Sequence, residues 1–273
     1  MGAGIAQVCA TSGYSTLLFD INKEMLNKAL HMIGTNLDIA IEKGKLRLEE
    51  KDAIISRIRA VDNQAEVRAD LILEAIVEKL EIKRKLFNEL ANNNSSSTIL
   101  ATNTSSIPIT QIASGIPHPQ RVIGIHFFNP AHLMKLVEVI AGVETGQAEM
   151  ALVRNFVSSL GKTAVVANDA PGFIVNRVAR HYYVEALKLL EENVSSFEGI
   201  DALMESSGFK MGPFRLMDLI GVDTNFSVTS SIFEQFHYDG KFRPSRIQKQ
   251  KVDAGHWGKK TGRGFYDYSK PIQ

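Results

Sequence analysis

Two residues twelve positions apart hold the most promising chemistry in this chain: His126, in His126-Phe127-Phe128-Asn129-Pro130, and Glu138, in Lys135-Leu136-Val137-Glu138-Val139-Ile140. Arg121 to Ile125 is a short apolar run that reads as a strand and places His126 at its carboxyl end. In open α/β sheets, ligands and chemistry collect at the carboxyl ends of the strands. Glu138 is a lone carboxylate among Leu, Val and Ile, in a run whose length and β-branching predict another strand. A charge buried there needs a partner or a shifted ionisation, and a histidine on a neighbouring strand supplies the partner. A His–Glu dyad at the mouth of a parallel sheet is general-base machinery. Taken alone, these residues fit a satisfied core histidine and a surface glutamate on an edge strand equally well.

The elements that must position the pair alternate. Gly2 to about Ser12 suits a short helix stopped by Gly13. Thr16 to Asp20 reads as a strand ending in an acid. Asn22 then caps a helix carrying Met25, Leu26, Ala29, Met32 and Ile33 at helical spacing, and amphipathic helical text continues to about Arg59. Asp70 to Ala75 is the next strand, followed by a charged helix from Glu78 to Ala91. Thr98 to Thr102 is another strand, and after a Ser/Thr/Asn turn a short helix begins at Pro108. This alternation predicts βαβ units and a mainly parallel sheet. The character changes at Asn168-Asp169-Ala170-Pro171-Gly172, beyond which long helical stretches such as Phe173 to Leu190 dominate. The expected division is therefore an α/β domain over 1–168 and a smaller all-helical domain over 169–273.

Gly2-Ala3-Gly4 opens a helix, and Asp20 follows a strand at nearly the spacing of a ribose-binding acid. Glycines at a helix N-terminus let backbone amides approach a pyrophosphate. The full fingerprint needs an apolar strand and two further glycines upstream, and the resemblance to it begins after them. Asp20 alone fits a helix-capping acid as well.

Composition narrows the function classes. With 273 residues, 44% hydrophobic and 22% charged, the chain has ample length to bury a core. Lys and Arg total 31 against 30 acids, so no global field points to nucleic acid or a membrane surface. There is no uninterrupted apolar run of transmembrane length and no visible signal peptide. A single cysteine, Cys9, forbids an internal disulfide, fits a reducing compartment and reads as a buried, inert thiol. No metal-ligand spacing is visible among the seven histidines.

Read together, several segments resemble the 3-hydroxyacyl-CoA dehydrogenase family. They are Met1-Gly2-Ala3-Gly4-Ile5-Ala6-Gln7, Glu74-Ala75-Ile76-Val77-Glu78, Thr102-Asn103-Thr104-Ser105-Ser106 and the His126 and Glu138 segments. Further on, Pro171-Gly172-Phe173-Ile174-Val175-Asn176-Arg177, Gly212-Pro213-Phe214 and Lys260 to Tyr266 match in the same order. The resemblance implies a Rossmann-type, doubly wound and mainly parallel sheet lacking its first strand, followed by the helical domain. It implies NAD-dependent oxidation of (S)-3-hydroxyacyl-CoA to 3-oxoacyl-CoA, and the reverse, on short or medium chains such as 3-hydroxybutyryl-CoA.

By that resemblance His126 is the base taking the proton of the substrate 3-hydroxyl, and Glu138 orients the imidazole and stabilises its protonated form. Ser105 and Asn176 hydrogen-bond the reacting oxygen. Gly2, Gly4, Asp20, Glu78, Lys83 and Asn103 are the cofactor contacts, Asp20 selecting NAD over its 2′-phosphorylated form. On the residues alone, Ser105 is a turn cap, Asn176 lies in the first turn of a helix, and Glu78 with Lys83 is a solvated helix-face pair. Lys249, Lys251, Lys259 and Lys260 form a basic stretch that could meet CoA phosphates or simply face solvent. The partners implied are an acyl-CoA substrate and a second copy of the chain, docked through the helical domain, with no nucleic acid and no membrane. The expected compartment is the cytoplasm, or the mitochondrial matrix if the true N-terminus lies upstream. The alternatives are another β-hydroxyacid dehydrogenase, a non-catalytic crystallin-like protein, and an inactive truncated relative. The last rests on an absent central strand, whose loss would leave backbone groups of two neighbours unpaired.

Overall fold

Short β-branched runs and the amphipathic helices between them fold as the alternation predicts. The computed structural model describes residues 1–269. The chain divides into two units, Met1–Ala170 and Pro171–Gln273.

The first unit begins with helix α1 (Gly2–Thr11), strand β1 (Thr16–Phe19), α2 (Lys23–Glu42), α3 (Leu48–Ser56) and β2 (Ile58–Val61). Asn22 caps α2 as expected, its Oδ1 accepting the amides of Glu24 at 2.9 Å and Met25 at 3.4 Å. The unit continues with β3 (Leu71–Glu74), α4 (Leu80–Asn93), β4 (Ile99–Thr102), α5 (Ile109–Ala113), β5 (Val122–Phe127), β6 (Leu136–Ala141), α6 (Gln147–Ser159) and β7 (Thr163–Asn168). The strands form two ladders. In one, β1 pairs with β2; in the other the order is β3-β4-β5-β6-β7. Pairing is parallel except between β5 and β6. Among the described residues β1, β2, β3 and β7 are each paired on one side.

Two differences from the sequence reading concern elements. Helical text does not run to Arg59: α3 stops at Ser56, and Ile58–Val61 is a strand beside β1. β7, next to β6, was not anticipated either. A third concerns direction, since the strands holding His126 and Glu138 run antiparallel rather than parallel. The connection from Phe128 to Lys135 explains this, being too short for the crossover that parallel neighbours require.

The core lies on the faces of the five-stranded ladder. Ile123, Ile125, Val137 and Val139 pack with Ile5 and Val8 of α1 and with Met150, Val153 and Val157 of α6. Gly124, mid-β5, is set by close approach: a side chain there would press on Ile109 and Ile140 at 2.8–3.0 Å.

The second unit comprises α7 (Val175–Glu191), α8 (Phe197–Ser206), α9 (Pro213–Ile220), α10 (Val222–Gln235) and α11 (Arg246–Asp253). Its core gathers Tyr183, Leu187, Ile200, Phe214, Met217 and Phe265. After α11 the chain forms two isolated antiparallel bridges, Gly258 with Arg263 and Arg263 with Asp267.

Candidate active site

In the antiparallel β5–β6 register His126 stands directly opposite Glu138. Side chains facing each other on one side of such a pair approach within contact distance, and here Nδ1 of His126 lies 2.7 Å from Oε2 of Glu138. Both are buried, His126 6% and Glu138 1% exposed. A carboxylate accepts hydrogen bonds, so Glu138 holds the ring with its proton on Nδ1 and leaves proton exchange to Nε2. The Phe128 ring leans on the imidazole, with centroids 4.5 Å apart. A histidine so fixed can take up a proton while the adjacent carboxylate balances the charge.

The turn after β4 carries Ser105 and is wound around one carboxylate. Oε1 of Glu78 accepts from Thr104 Oγ1 at 2.6 Å, the Ser105 amide at 2.9 Å, and the Ser106 amide and Oγ, both at 3.2 Å. Ser105 Oγ lies 3.4 Å from the same oxygen. Oε2 of Glu78 faces Lys83 Nζ at 3.1 Å. Burial pushes the Glu78 carboxyl up, but the Lys83 charge and the hydrogen bonds from Thr104 and Ser105 outweigh it and hold the group below the ordinary carboxylate range. Lys83 is no solvated helix-face residue: its side chain is 1% exposed and its Nζ also lies 2.6 Å from Glu74 Oε1. The charged text of α4 concealed this, because only the fold sets β3 beneath the helix. Glu74, fully buried at the end of β3, went unremarked as a site residue, although it is a lone acid in an apolar strand just as Glu138 is.

The remaining cofactor candidates sit at the carboxyl ends of strands or at a helix N-terminus. No side chain caps α1 and no acid lies in its first turn. Ile5 is the first amide bonded within it, to the Met1 carbonyl at 3.1 Å, so the amides of Gly2, Ala3 and Gly4 have no intrahelical acceptor. A side chain on Gly4 would come into contact with Ala131 at 3.4 Å, while Gly2 has only Ala75 nearby, at 3.9 Å. Asp20 follows β1, its Oδ1 accepting the Asn22 amide at 2.9 Å; the α2 cap itself is Asn22. Bare amides at a positive helix end and a carboxylate beyond the next strand are the donor and acceptor set that a pyrophosphate and a ribose diol require. These residues fit NAD. Asn103 extends β4: its amide donates to the Glu74 carbonyl at 2.8 Å, and its Oδ1 accepts the Phe127 amide at 2.8 Å.

In the second unit Asn176 is the second residue of α7. The lysines of the basic stretch lie at the surface, with Lys251 half-buried, and each meets a group of its own unit. Lys249 pairs with Asp253 and Lys260 with Asp223, Lys251 donates to the Gly264 carbonyl, and Lys259 lies over the Tyr268 ring. Cys9 is half-buried, and burial pushes its thiol up to about 11. Among the described residues no group of His, Cys, Asp or Glu is arranged to hold a metal ion, and no helix is long and apolar enough to cross a membrane.

Comparison with known proteins shows the family. Residues 1–170 match the profile described as 3-hydroxyacyl-CoA dehydrogenase, NAD binding domain, and residues 172–268 match that of its C-terminal domain. The 3-hydroxyadipyl-CoA dehydrogenase of Escherichia coli K12 is 47% identical over 270 residues, covering 98% of this chain and 57% of its own length. The 3-hydroxybutyryl-CoA dehydrogenase of Bradyrhizobium diazoefficiens is 41% identical over 276 residues, covering 100% of this chain and 94% of its own. The crystal structure of a 3-hydroxybutyryl-CoA dehydrogenase from Escherichia coli K12 superposes with a TM-score of 0.96 at 46% identity, covering 100% of this chain and 58% of that one. The chain thus spans little more than half of the two Escherichia coli relatives and nearly all of the Bradyrhizobium enzyme. This chain belongs to the 3-hydroxyacyl-CoA dehydrogenase family, whose members pair an NAD-binding domain with a distinct C-terminal domain.

Proposed function

We propose that this protein oxidises short- or medium-chain (S)-3-hydroxyacyl-CoA esters, such as 3-hydroxybutyryl-CoA, to the 3-oxoacyl-CoA, and runs the reverse reaction. The observation that carries this reading is the buried His126–Glu138 contact of 2.7 Å at the end of β5. His126 takes the hydroxyl proton at Nε2, the ring nitrogen across from the one Glu138 holds. Glu138 fixes the ring's orientation and balances the imidazolium charge, which a buried histidine needs in order to accept a proton. Ser105 is assigned a hydrogen bond to the reacting oxygen, and Asn176 takes the same role by family resemblance. NAD, when bound, supplies the acceptor for the hydride leaving C3. Gly2 and Gly4 would hold it through the bare end of α1, Asp20 through its ribose, and Asn103, Glu78 and Lys83 through the turn after β4.

Homodimerisation through the helical unit belongs to the same reading, supported by its exposed apolar side chains Val178, Leu203 and Phe209. So does a cytoplasmic setting, with one cysteine in keeping with a reducing compartment. The test is NADH oxidation with acetoacetyl-CoA, followed by absorbance. Turnover lost in His126→Gln supports the assignment; wild-type turnover in that variant overturns it.

A further inference from the structure

Glu74 is a hub from which two hydrogen-bonded routes lead to the turn carrying Ser105. Along the first, Glu74 Oε1 meets Lys83 Nζ at 2.6 Å, and the same Nζ meets Glu78 Oε2 at 3.1 Å. The other oxygen of Glu78 then gathers Thr104, Ser105 and Ser106. Along the second, Glu74 Oε2 accepts the Thr102 hydroxyl at 2.8 Å, and Thr102 Oγ1 accepts the Thr104 amide at 3.2 Å. Glu74 Oε1 also accepts the Ile76 amide at 2.6 Å, fixing the start of the segment that leads to Glu78. The Glu74 and Thr102 side chains are fully buried, and Lys83 is nearly so.

Charge explains why such a hub is needed. Two carboxylates share one ammonium, so Lys83 is drawn from both sides and stays between them. Without the Glu74 charge, Lys83 is left buried with a single, partly exposed anion, and a buried charge is stable only when fully partnered. It would then follow Glu78 toward solvent, and the donors wound around Glu78 would move with it. A misplacement of about 1 Å at a reacting group is enough to slow a reaction ~10²-fold.

We propose that Glu74 is a positioning residue for the reaction, setting Ser105 through Lys83–Glu78 and through Thr102–Thr104. This rests on the role given to Ser105 above. The experiment combines kinetics with acetoacetyl-CoA and NADH and amide hydrogen exchange over residues 103–107, using the whole chain. Glu74→Gln, which keeps the size and removes the charge, is expected to lower kcat about 10- to 100-fold and to speed exchange at the Thr104–Ser106 amides. Thr102→Val cuts only the second route and is nearly isosteric; it should speed the same exchange and lower kcat to a smaller extent. Glu74→Asp should restore part of the loss. In the double variant Glu74→Gln/Ser105→Ala, kcat should match that of Ser105→Ala alone, because two residues acting as a unit are not additive. Unchanged exchange in both Glu74→Gln and Thr102→Val, or losses that multiply in the double variant, would overturn the proposal. Should Glu74→Gln fail to fold, Thr102→Val with and without Ser105→Ala decides by the same criteria. Faster exchange together with a fully active Ser105→Ala would leave the link from Glu74 to the turn standing and remove the role assigned to Ser105.

Discussion

His126 and Glu138 face each other across one rung of an antiparallel strand pair, and that rung brings Nδ1 within 2.7 Å of Oε2. The register therefore does the aligning, and no loop has to close to assemble the dyad. Both strands are flanked by further strands, β4 beyond β5 and β7 beyond β6. Slipping either by one residue would turn its whole apolar set to the other face. The base and its partner are thus held by the same packing that holds the core.

His126→Gln should abolish acetoacetyl-CoA turnover while leaving NADH affinity nearly unchanged. The loss should reach the ~10²–10⁴-fold typical of a positioned acid or base and fall on kcat rather than KM. Steady-state kinetics alongside NADH fluorescence titration would check both halves.

Glu138→Gln should leave the fold intact and slow turnover at least about 10-fold, up to the ~10⁴-fold seen when the orienting acid of a catalytic triad is neutralised. The amide can donate as well as accept, so it no longer enforces one tautomer, and it brings no charge to balance the imidazolium. If the dyad is a unit, Glu138→Gln placed on His126→Gln should add almost nothing further.

Much of this site was legible in the chain because lone polar residues interrupt apolar strands. Glu138 and His126 stand out for that reason, and the short connection from Phe128 to Lys135 held the information that their strands run antiparallel. Ile58–Val61 was hidden because Arg59 breaks its apolar run and Ile54 and Ile55 of α3 precede it at helical spacing. β7 is an edge strand with little burial, so its pattern is weak. Lys83 misled in the opposite direction: among the charges of α4 it reads as solvated, and only tertiary packing shows that it is buried against Glu74. Local pattern gives an element's type where its apolar period is clean; partners that lie across elements are decided by packing.

Cofactor selectivity should depend on Asp20. A carboxylate placed at the ribose accepts from the 2′-hydroxyl and repels a 2′-phosphate. The unmodified protein should prefer NADH, and Asp20→Ser should narrow the ratio of kcat/KM for NADH over NADPH by about tenfold or more, each tenfold corresponding to ~1.4 kcal/mol. Equal use of both cofactors by the parent protein would contradict the assignment.

Cys9 should be slow to alkylate. With burial pushing the thiol up to about 11, almost none is thiolate at pH 8, and the thiolate is the reacting species. Iodoacetamide labelling of the folded protein should be slower than that of a free cysteine by about 100-fold and should keep rising with pH beyond 9. Fast labelling at pH 7 would mean that Cys9 is activated.

The Gly212-Pro213-Phe214 and Lys260–Tyr266 segments, which the catalytic reading leaves without a task, meet through two buried acids. Asp201 of α8 accepts the Phe214 and Arg215 amides at 2.9 and 3.0 Å, where α9 begins. Asp218 of α9 accepts the Phe265 and Tyr266 amides, both at 2.9 Å, and the Tyr268 hydroxyl at 3.0 Å. The Tyr266 hydroxyl closes the circuit on Asp201 at 2.8 Å. A side chain at Gly264 would collide with the Asp218 carboxylate, so only glycine lets the chain pass there. Asp218→Ala should therefore destabilise the protein by about 3 kcal/mol or more, since one buried amide, one part-buried amide and a part-buried hydroxyl lose their acceptor at ~1–3 kcal/mol each, the part-buried ones toward the low end. Asp218→Asn keeps one acceptor oxygen and should cost less. Burial pushes the Asp218 carboxyl above its ordinary value, more than its hydrogen bonds and Lys251 pull it back. A raised folded-state value means that the native protein favours protonation: this stabilisation is full below the unfolded value of about 3.9 and is lost as pH rises through the folded one. The gap between the parent and Asp218→Asn should accordingly shrink as pH rises from about 4 to 7. Melting temperatures of both proteins across that range would check it, and a gap that widens with pH would show that the carboxylate, not the acid, is the favoured native form.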